Sequence, residues 1–177
     1  MIYIVRHGQT DWNLEHRIQG HMDIPLNDNG RRDAKRAKEE LKDIEFDVVF
    51  SSPLSRALET AQIITDHDII IDERLIERGN GTLEGCNNRD IIDNIPWNSE
   101  TVIEYGVEPL SAITKRTNEF LDEITNNYKD KNILIVTHAG NGISIRTYFE
   151  GPPDDGDFSK YRMGNCEVIK YENKAKE

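Results

Sequence analysis

Two apolar runs set what this chain can fold into. Ile2–Val5 and Asn132–Thr137 are short, unbroken and bounded by turn residues, the pattern of strands buried on both faces of a sheet. They also end alike. The first runs into Arg6, His7 and Gly8, the second into His138, Ala139 and Gly140, and a helix start follows the second. A buried strand that passes directly into cations, imidazoles and glycine places chemistry at its carboxyl end. Gly8 has access to backbone angles closed to other residues, so a sharp turn after His7 is expected there, with room for an anion close to the backbone. Taken alone, the opening stretch also reads as an edge strand ending in a solvated Arg6–His7 pair.

The intervening chain alternates between strand and helix. Thr10–Leu26 is a long loop with little periodicity, of a length that usually carries function. Asn27 caps a helix to about Asp43 with Ala34, Ala37 and Leu41 inward, and its basic residues form a solvated face. Phe46–Phe50 is a second strand. Ser52 as N-cap and Pro53 at the first helical position open another helix, with Leu54, Leu58, Ala61 and Ile64 as its apolar stripe. Arg56 then falls near the first turn, where a cation opposes the helix dipole. A bound anion would explain that misfit; so would a pair with Glu59 or Glu73.

Ile69–Ile71 is a third strand, followed by a glycine-rich stretch, Glu73–Gly85, with Glu77 at its centre. Asn88–Asn94 reads as a short helix, Ile95–Val107 as an irregular connection and Pro109–Tyr128 as a long amphipathic helix. A helix from about Asn141 to Phe149 follows the second histidine, then a loop, Pro152–Gly164, whose aspartates are taken as solvated. Cys166–Tyr171 is an edge strand. The pattern predicts an α/β fold, a three-layer sandwich with a mostly parallel central sheet flanked by helices. In such sheets ligands bind beyond the carboxyl ends of the strands, where His7, Arg56 and His138 all lie.

A chain of 177 residues is long enough for one domain with its own core, expected over residues 1–172 with a solvated tail at 173–177. The net charge of −11 argues against nucleic acid and anionic membranes as partners, and requires a local cluster of cations for any anionic ligand. Cys86 and Cys166 are far apart and read as free thiols of a reducing compartment. With no signal-peptide pattern, the expected location is cytoplasmic. The sequence sets no oligomeric state.

Two guanidiniums give planar, bidentate recognition of phosphate or carboxylate. A neutral imidazole beside them can attack phosphorus, and a carboxylic acid can protonate the departing oxygen. Arg6, Arg56 and a protonated His138 would supply positive charge around the phosphoryl oxygens. No spacing suits zinc or magnesium, so neither metal nor cofactor is expected.

VRHGQTDWN, then SSPLSRALETA, LIERGNGTLEG and IVTHAG, in that order, resemble the histidine phosphatase superfamily in its phosphoglycerate-mutase-like branch. The resemblance runs from Ile2 to about Phe149. It implies His7 as the nucleophile that becomes phosphorylated, Arg6, Arg56 and His138 as the rest of the phosphate pocket, and Glu77 as proton donor. It further implies that Asn13 contacts the phosphate, and that Thr10, Gln19, Gly20 and the N–H of Ala139 form the pocket wall. Arg78 either touches the rest of the substrate or is a surface residue.

Cofactor-dependent mutases of this family carry an arginine pair after the proton donor. Here Cys86–Val107 is short and has only Arg89. The expected activity is therefore metal-independent hydrolysis of a small phosphorylated metabolite through a phosphohistidine. A phosphoglycerate mutase is the alternative, and a phosphopeptide-binding module a third reading.

Overall fold

A computed structural model describes residues 1–97 and 105–173. The sheet comprises β1 (Ile2–Arg6), β2 (Val48–Ser51), β3 (Ile69–Ile71), β4 (Ile133–Thr137) and β5 (Val168–Tyr171), in the order β3-β2-β4-β1-β5. Pairs β3·β2, β2·β4 and β4·β1 are parallel, and β5 runs antiparallel along the far edge of β1. The helices are α1 (Asp11–Leu14), α2 (Asp28–Glu40), α3 (Ser55–Ile64), α4 (Arg89–Ile92), α5 (Leu110–Asn127) and α6 (Ala139–Glu150). Short 3₁₀ turns lie at Glu73–Leu75, Gly81–Leu83 and Phe158–Tyr161. The layered α/β fold is the expected one.

The unbroken apolar character of β1 and β4 follows from cover on both faces. Ile2, Ile4, Ile133 and Ile135 point to one side, against Phe120, Leu121 and Ile124 of α5 and Ile145 of α6. Val5, Leu134 and Val136 point to the other, against Ala37 of α2 and Ala57, Ala61 and Ile64 of α3. This is the two-residue period of a strand. Truncating one of these buried isoleucines to alanine would cost about 2–5 kcal/mol.

The helix after β1 therefore leaves to one face and the helix after β4 to the other. β1 and β4 are neighbours, with Arg6 opposite Thr137 in register. Their carboxyl ends form the crevice at a switch of topology, the usual place for a ligand in such a sheet.

Several local expectations need correction. Gly8 does not adopt a positive φ. It is required because a Cβ there would lie 2.6 Å from the Gly30 carbonyl oxygen, where the first turn of α2 packs on the chain leaving β1. Ser52 and Pro53 precede α3 rather than open it, and the N-cap is Leu54. The helix end is instead satisfied by Asp23, whose Oδ1 accepts from the backbone N–H of Ser55 at 2.8 Å and from its hydroxyl at 2.7 Å. The 10–26 loop contains the single turn α1, fixed by a reciprocal cap between Thr10 and Asn13, and its ends meet at a Thr10–Leu26 bridge. Asn173 is tied down, its side-chain amide donating to the Lys131 carbonyl at 3.2 Å; the remainder of the expected tail lies outside the described residues, as does part of the 95–107 connection. Among the described residues no helix is long and apolar enough to cross a membrane.

Candidate active site

The register of β1 and β4 brings His7 and His138 together. The His7 N–H donates to the Thr137 carbonyl at 2.9 Å, which extends the pairing by one residue. The two rings then lie 5.1 Å apart between centroids, tilted by 57°. His7 Nδ1 lies 2.7 Å from the Gly8 carbonyl oxygen. A carbonyl only accepts, so Nδ1 carries the proton and the lone pair is on Nε2. Burial, with Arg6 and Arg56 beside it, holds the His7 pKa well below its ordinary value. The ring is neutral at neutral pH, the form a nucleophile requires.

His138 is fully buried, with Nε2 2.6 Å from the Ser52 hydroxyl. Burial first, then Arg56, His7 and Arg6, push its pKa well below the ordinary value. Burial and the two nearby guanidiniums thus oppose, in the free protein, the protonation of His138 that the sequence suggests. Positive charge comes from the arginines.

Arg56 is the second residue of α3 and has no exposed surface. Its Nη1 donates to the Met22 carbonyl at 2.8 Å and its Nη2 to the Gly20 carbonyl at 2.9 Å. The possible pairing with Glu59 is not made; Glu59 binds Arg31 at 2.6 Å. Arg6, at the end of β1, donates from Nη1 to the Met163 carbonyl at 2.6 Å. Burial and the neighbouring Arg162 lower its pKa to about 10. The Nε atoms of both arginines are buried with no protein acceptor among the described residues. Buried donors are normally paired, and an oxyanion between them would do so.

Glu77 faces these groups from the glycine-rich stretch. Its Oε1 accepts from the N–H of Arg78 at 2.8 Å and from the N–H of Gly140, in the first turn of α6, at 3.0 Å. A Cβ on Gly140 would lie 2.3 Å from that oxygen, so a side chain here would displace the carboxylate. The backbone around Glu77 is braced by Arg116, which donates to the carbonyls of Arg74, Ile76 and Glu77 at 2.6, 2.6 and 3.1 Å and pairs with Glu108.

Arg6, His7, Arg56 and Glu77 line one cavity of about 510 Å³, together with Asn13, Gln19, Gly20 and Ala139. His138 stands directly behind His7, and Thr10 is also behind the wall, fully buried. The Thr10 backbone N–H donates to Asn13 Oδ1 at 3.0 Å, and its hydroxyl donates to Gln19 Oε1 at 3.0 Å. Thr10 therefore does not line the pocket as expected. It draws both amide oxygens toward itself and leaves their N–H₂ groups for the cavity. Gly20 has φ +55°, and a Cβ there would collide with Glu84.

Other lining groups escaped the sequence reading. His16 lines the cavity, and so do Trp12, Arg17, Trp97, Phe158 and Arg162. His21 donates or accepts at 2.8 Å with the Glu77 carbonyl; as that carbonyl only accepts, His21 Nε2 is the donor. In all, six arginines line the cavity (Arg6, Arg17, Arg56, Arg78, Arg89 and Arg162) against one carboxylate, in a chain of net charge −11. This local inversion of charge is what the composition requires of a site for an anion.

Residues 2–177 match the histidine phosphatase superfamily (branch 1). The chain belongs to that family. It is 35% identical over 168 residues to the uncharacterized phosphatase PhoE of Bacillus subtilis, covering 93% of this chain and 84% of that protein. It is 36% identical over 162 residues to phosphoglycerate mutase-like protein 4 of Arabidopsis thaliana, covering 84% and 69%. Among solved structures, the phosphoserine phosphatase of Entamoeba histolytica in complex with 3-phosphoglyceric acid superposes with a TM-score of 0.81 at 27% identity, covering 94% of this chain and 87% of that one.

Proposed function

We propose that this chain is a phosphatase that hydrolyses a small phosphate monoester through a phosphohistidine on His7, with Glu77 as proton donor. The observation that carries this reading is the pairing of a neutral His7, its Nδ1 proton committed to Gly8, with two buried guanidiniums that have spare donors. The substrate phosphoryl group lies against Arg6 and Arg56, with the Asn13 and Gln19 amides completing the cradle. The Nε2 lone pair attacks phosphorus as the P–O bond to the leaving group breaks. Charge builds on the equatorial oxygens, where fixed donors stabilise it most. Glu77, protonated, gives its proton to the departing alkoxide. In the second half, the Glu77 carboxylate takes a proton from water, the water oxygen bonds to phosphorus and the P–N bond returns its electrons to His7. Inorganic phosphate leaves, and Glu77 is protonated again. His138, packed against the nucleophile, fixes the plane of its ring.

The test is turnover of a panel of phosphate esters without added metal, beside His7→Ala. Loss of at least about 10⁴-fold in the variant is expected for a nucleophile. Acid-labile, base-stable label on the wild type from a ³²P-labelled substrate, absent in the variant, would identify the intermediate. Hydrolysis that persists in His7→Ala overturns the reading.

The similarity to a mutase-like protein supports a second reading, interconversion of phosphoglycerates. Against it, Arg89, the arginine of the 86–107 stretch, is engaged with Asp93 at 2.5 Å. Interconversion faster than hydrolysis would establish the mutase.

A further inference from the structure

The cavity continues past the phosphate cluster. A second cavity of about 420 Å³ adjoins the first and shares Trp97, Ile143, Phe158 and Arg162 with it. Its other described lining residues are Ile95, Pro96 and Ser159. We propose that this end is a subsite for an apolar, ring-bearing leaving group, walled by Trp97, Ile143 and Phe158 with Arg162 at its threshold. The proposal rests on the phosphatase reading and names the part of the substrate that reading leaves open.

Gly140, whose N–H holds the Glu77 carboxylate, and Ile143 are three residues apart on α6. Residues so spaced share a helix face, with a rise of about 4.5 Å between them. A leaving oxygen beside Glu77 therefore has its carbon body directed along α6 toward Ile143 and Phe158. The Trp97 indole N–H is already given to the Ile92 carbonyl at 3.0 Å, so its ring faces remain as apolar surface. Arg78 donates to the carbonyls of Glu108 and Trp97, each at 2.8 Å, and Arg89 is paired with Asp93. These bonds tie Nε and Nη1 of Arg78 and the Arg89 guanidinium to the protein. The Arg162 guanidinium has no hydrogen bond or ion pair among the described residues, and it lies close enough to Arg6 to disfavour that cation. It therefore stands where the phosphate cluster gives way to apolar wall. A planar guanidinium in that position stacks on an aromatic face and needs no second anion. A three-carbon polar alcohol would leave the walls beyond it unfilled.

The test compares two esters of similar intrinsic reactivity, 2-phenylethyl phosphate and ethyl phosphate, by kcat/KM in the wild type and in Phe158→Ala. Each protein is its own control, because the readout is the ratio. The wild type is expected to prefer the ring-bearing ester by about tenfold or more, the scale of burying one aromatic ring in part. Phe158→Ala is expected to lower the ratio at least about fivefold. Should that variant not fold, Ile143→Ser is read the same way. A wild-type ratio below about three, or a variant ratio within about twofold of the wild type, overturns the subsite. 4-Nitrophenyl phosphate separates the two levels. Failure to hydrolyse it at all strikes at the phosphatase reading, whereas its hydrolysis without preference between the alkyl esters strikes at the subsite alone.

Discussion

At the end of the cavity proposed to hold phosphate, Arg6, His7 and His138 leave adjacent parallel strands, and Arg56 is held by two carbonyls of a loop that is itself pinned to α3. Each of these side chains is at most 8% exposed. At the proposed leaving-group end, Arg89 sits on the single turn α4 with its side chain 62% exposed, and Phe158 and Arg162 come from a 3₁₀ turn and the residue after it. One end is a rigid device assembled by the sheet. The other is a set of surface segments brought together by where they return to the body. On the proposed function, chemistry that tolerates little misplacement is built on the first, and discrimination among alcohols, where single contacts are worth less, falls to the second. If this division is right, substitutions should have effects that fall steeply from one end to the other.

The steepest case is conservative in charge. Arg56→Lys keeps a cation but cannot donate to Gly20 and Met22 while also facing a phosphoryl oxygen, because the fork geometry is lost. A fall in kcat/KM of about 10³-fold is expected for every ester alike, the scale of losing a preorganised donor to the transition state. A loss below about tenfold would remove the claim that rigidity matters at this end. Gly140→Ala comes next. Its methyl would displace the Glu77 carboxylate, and kcat for ethyl phosphate should fall about 10²-fold, as for impaired proton donation. 4-Nitrophenyl phosphate, whose leaving group hardly needs a proton, should suffer much less. Equal losses on both esters would mean that the methyl disturbs phosphate binding and not the acid.

The rigid end should also show in stability against pH. His7 and His138 have folded-state pKa values well below their ordinary value because burial and Arg56 and Arg6 oppose their protonation. Below pH 6.5 the unfolded chain binds protons at these two positions that the folded chain does not. Stability is unaffected by them at higher pH and is lost as pH falls. From pH 6.5 to 5.5 the loss from the pair is on the order of 2 kcal/mol, read from urea midpoints. His138→Gln should halve that slope. An unchanged slope would mean that these imidazoles are not held neutral by the fold.

The same division explains what could be read from the chain alone. Arg6, His7 and His138 are legible because each follows an apolar run, and a strand end marks a place in the sheet. Arg56 is marked by its misfit at a helix start. Glu77 lay in a stretch with no period and was identified by resemblance. Thr10 shows the limit of that route: it belongs to the site but behind it, ordering Asn13 and Gln19, which no motif distinguishes from contact. Gly8 carries a further lesson. Its need for a bare Cα comes from Gly30, across a helix packing that sequence spacing does not display. Phe158 and Arg162 sit near three aspartates in a stretch that reads as solvated, and nothing local records that it folds over the crevice.

The smallest expected effect lies at the exposed end. Arg89 has the residue type and location that would invite a role in substrate binding, since it is the arginine in the segment where related mutases carry a basic patch. Its guanidinium is instead paired with Asp93 one turn along α4, in water, where such pairs contribute about 0–1 kcal/mol. An incoming carboxylate would have to displace Asp93 and gain little by the exchange. Arg89→Ala should therefore lower kcat/KM by no more than about threefold for uncharged and carboxylate-bearing esters alike. A loss above about tenfold confined to 3-phosphoglycerate would show Arg89 leaving Asp93 to grip the substrate. The leaving-group end would then be a reader of acids, and the case for a mutase would strengthen at the expense of both the hydrolase and the apolar subsite.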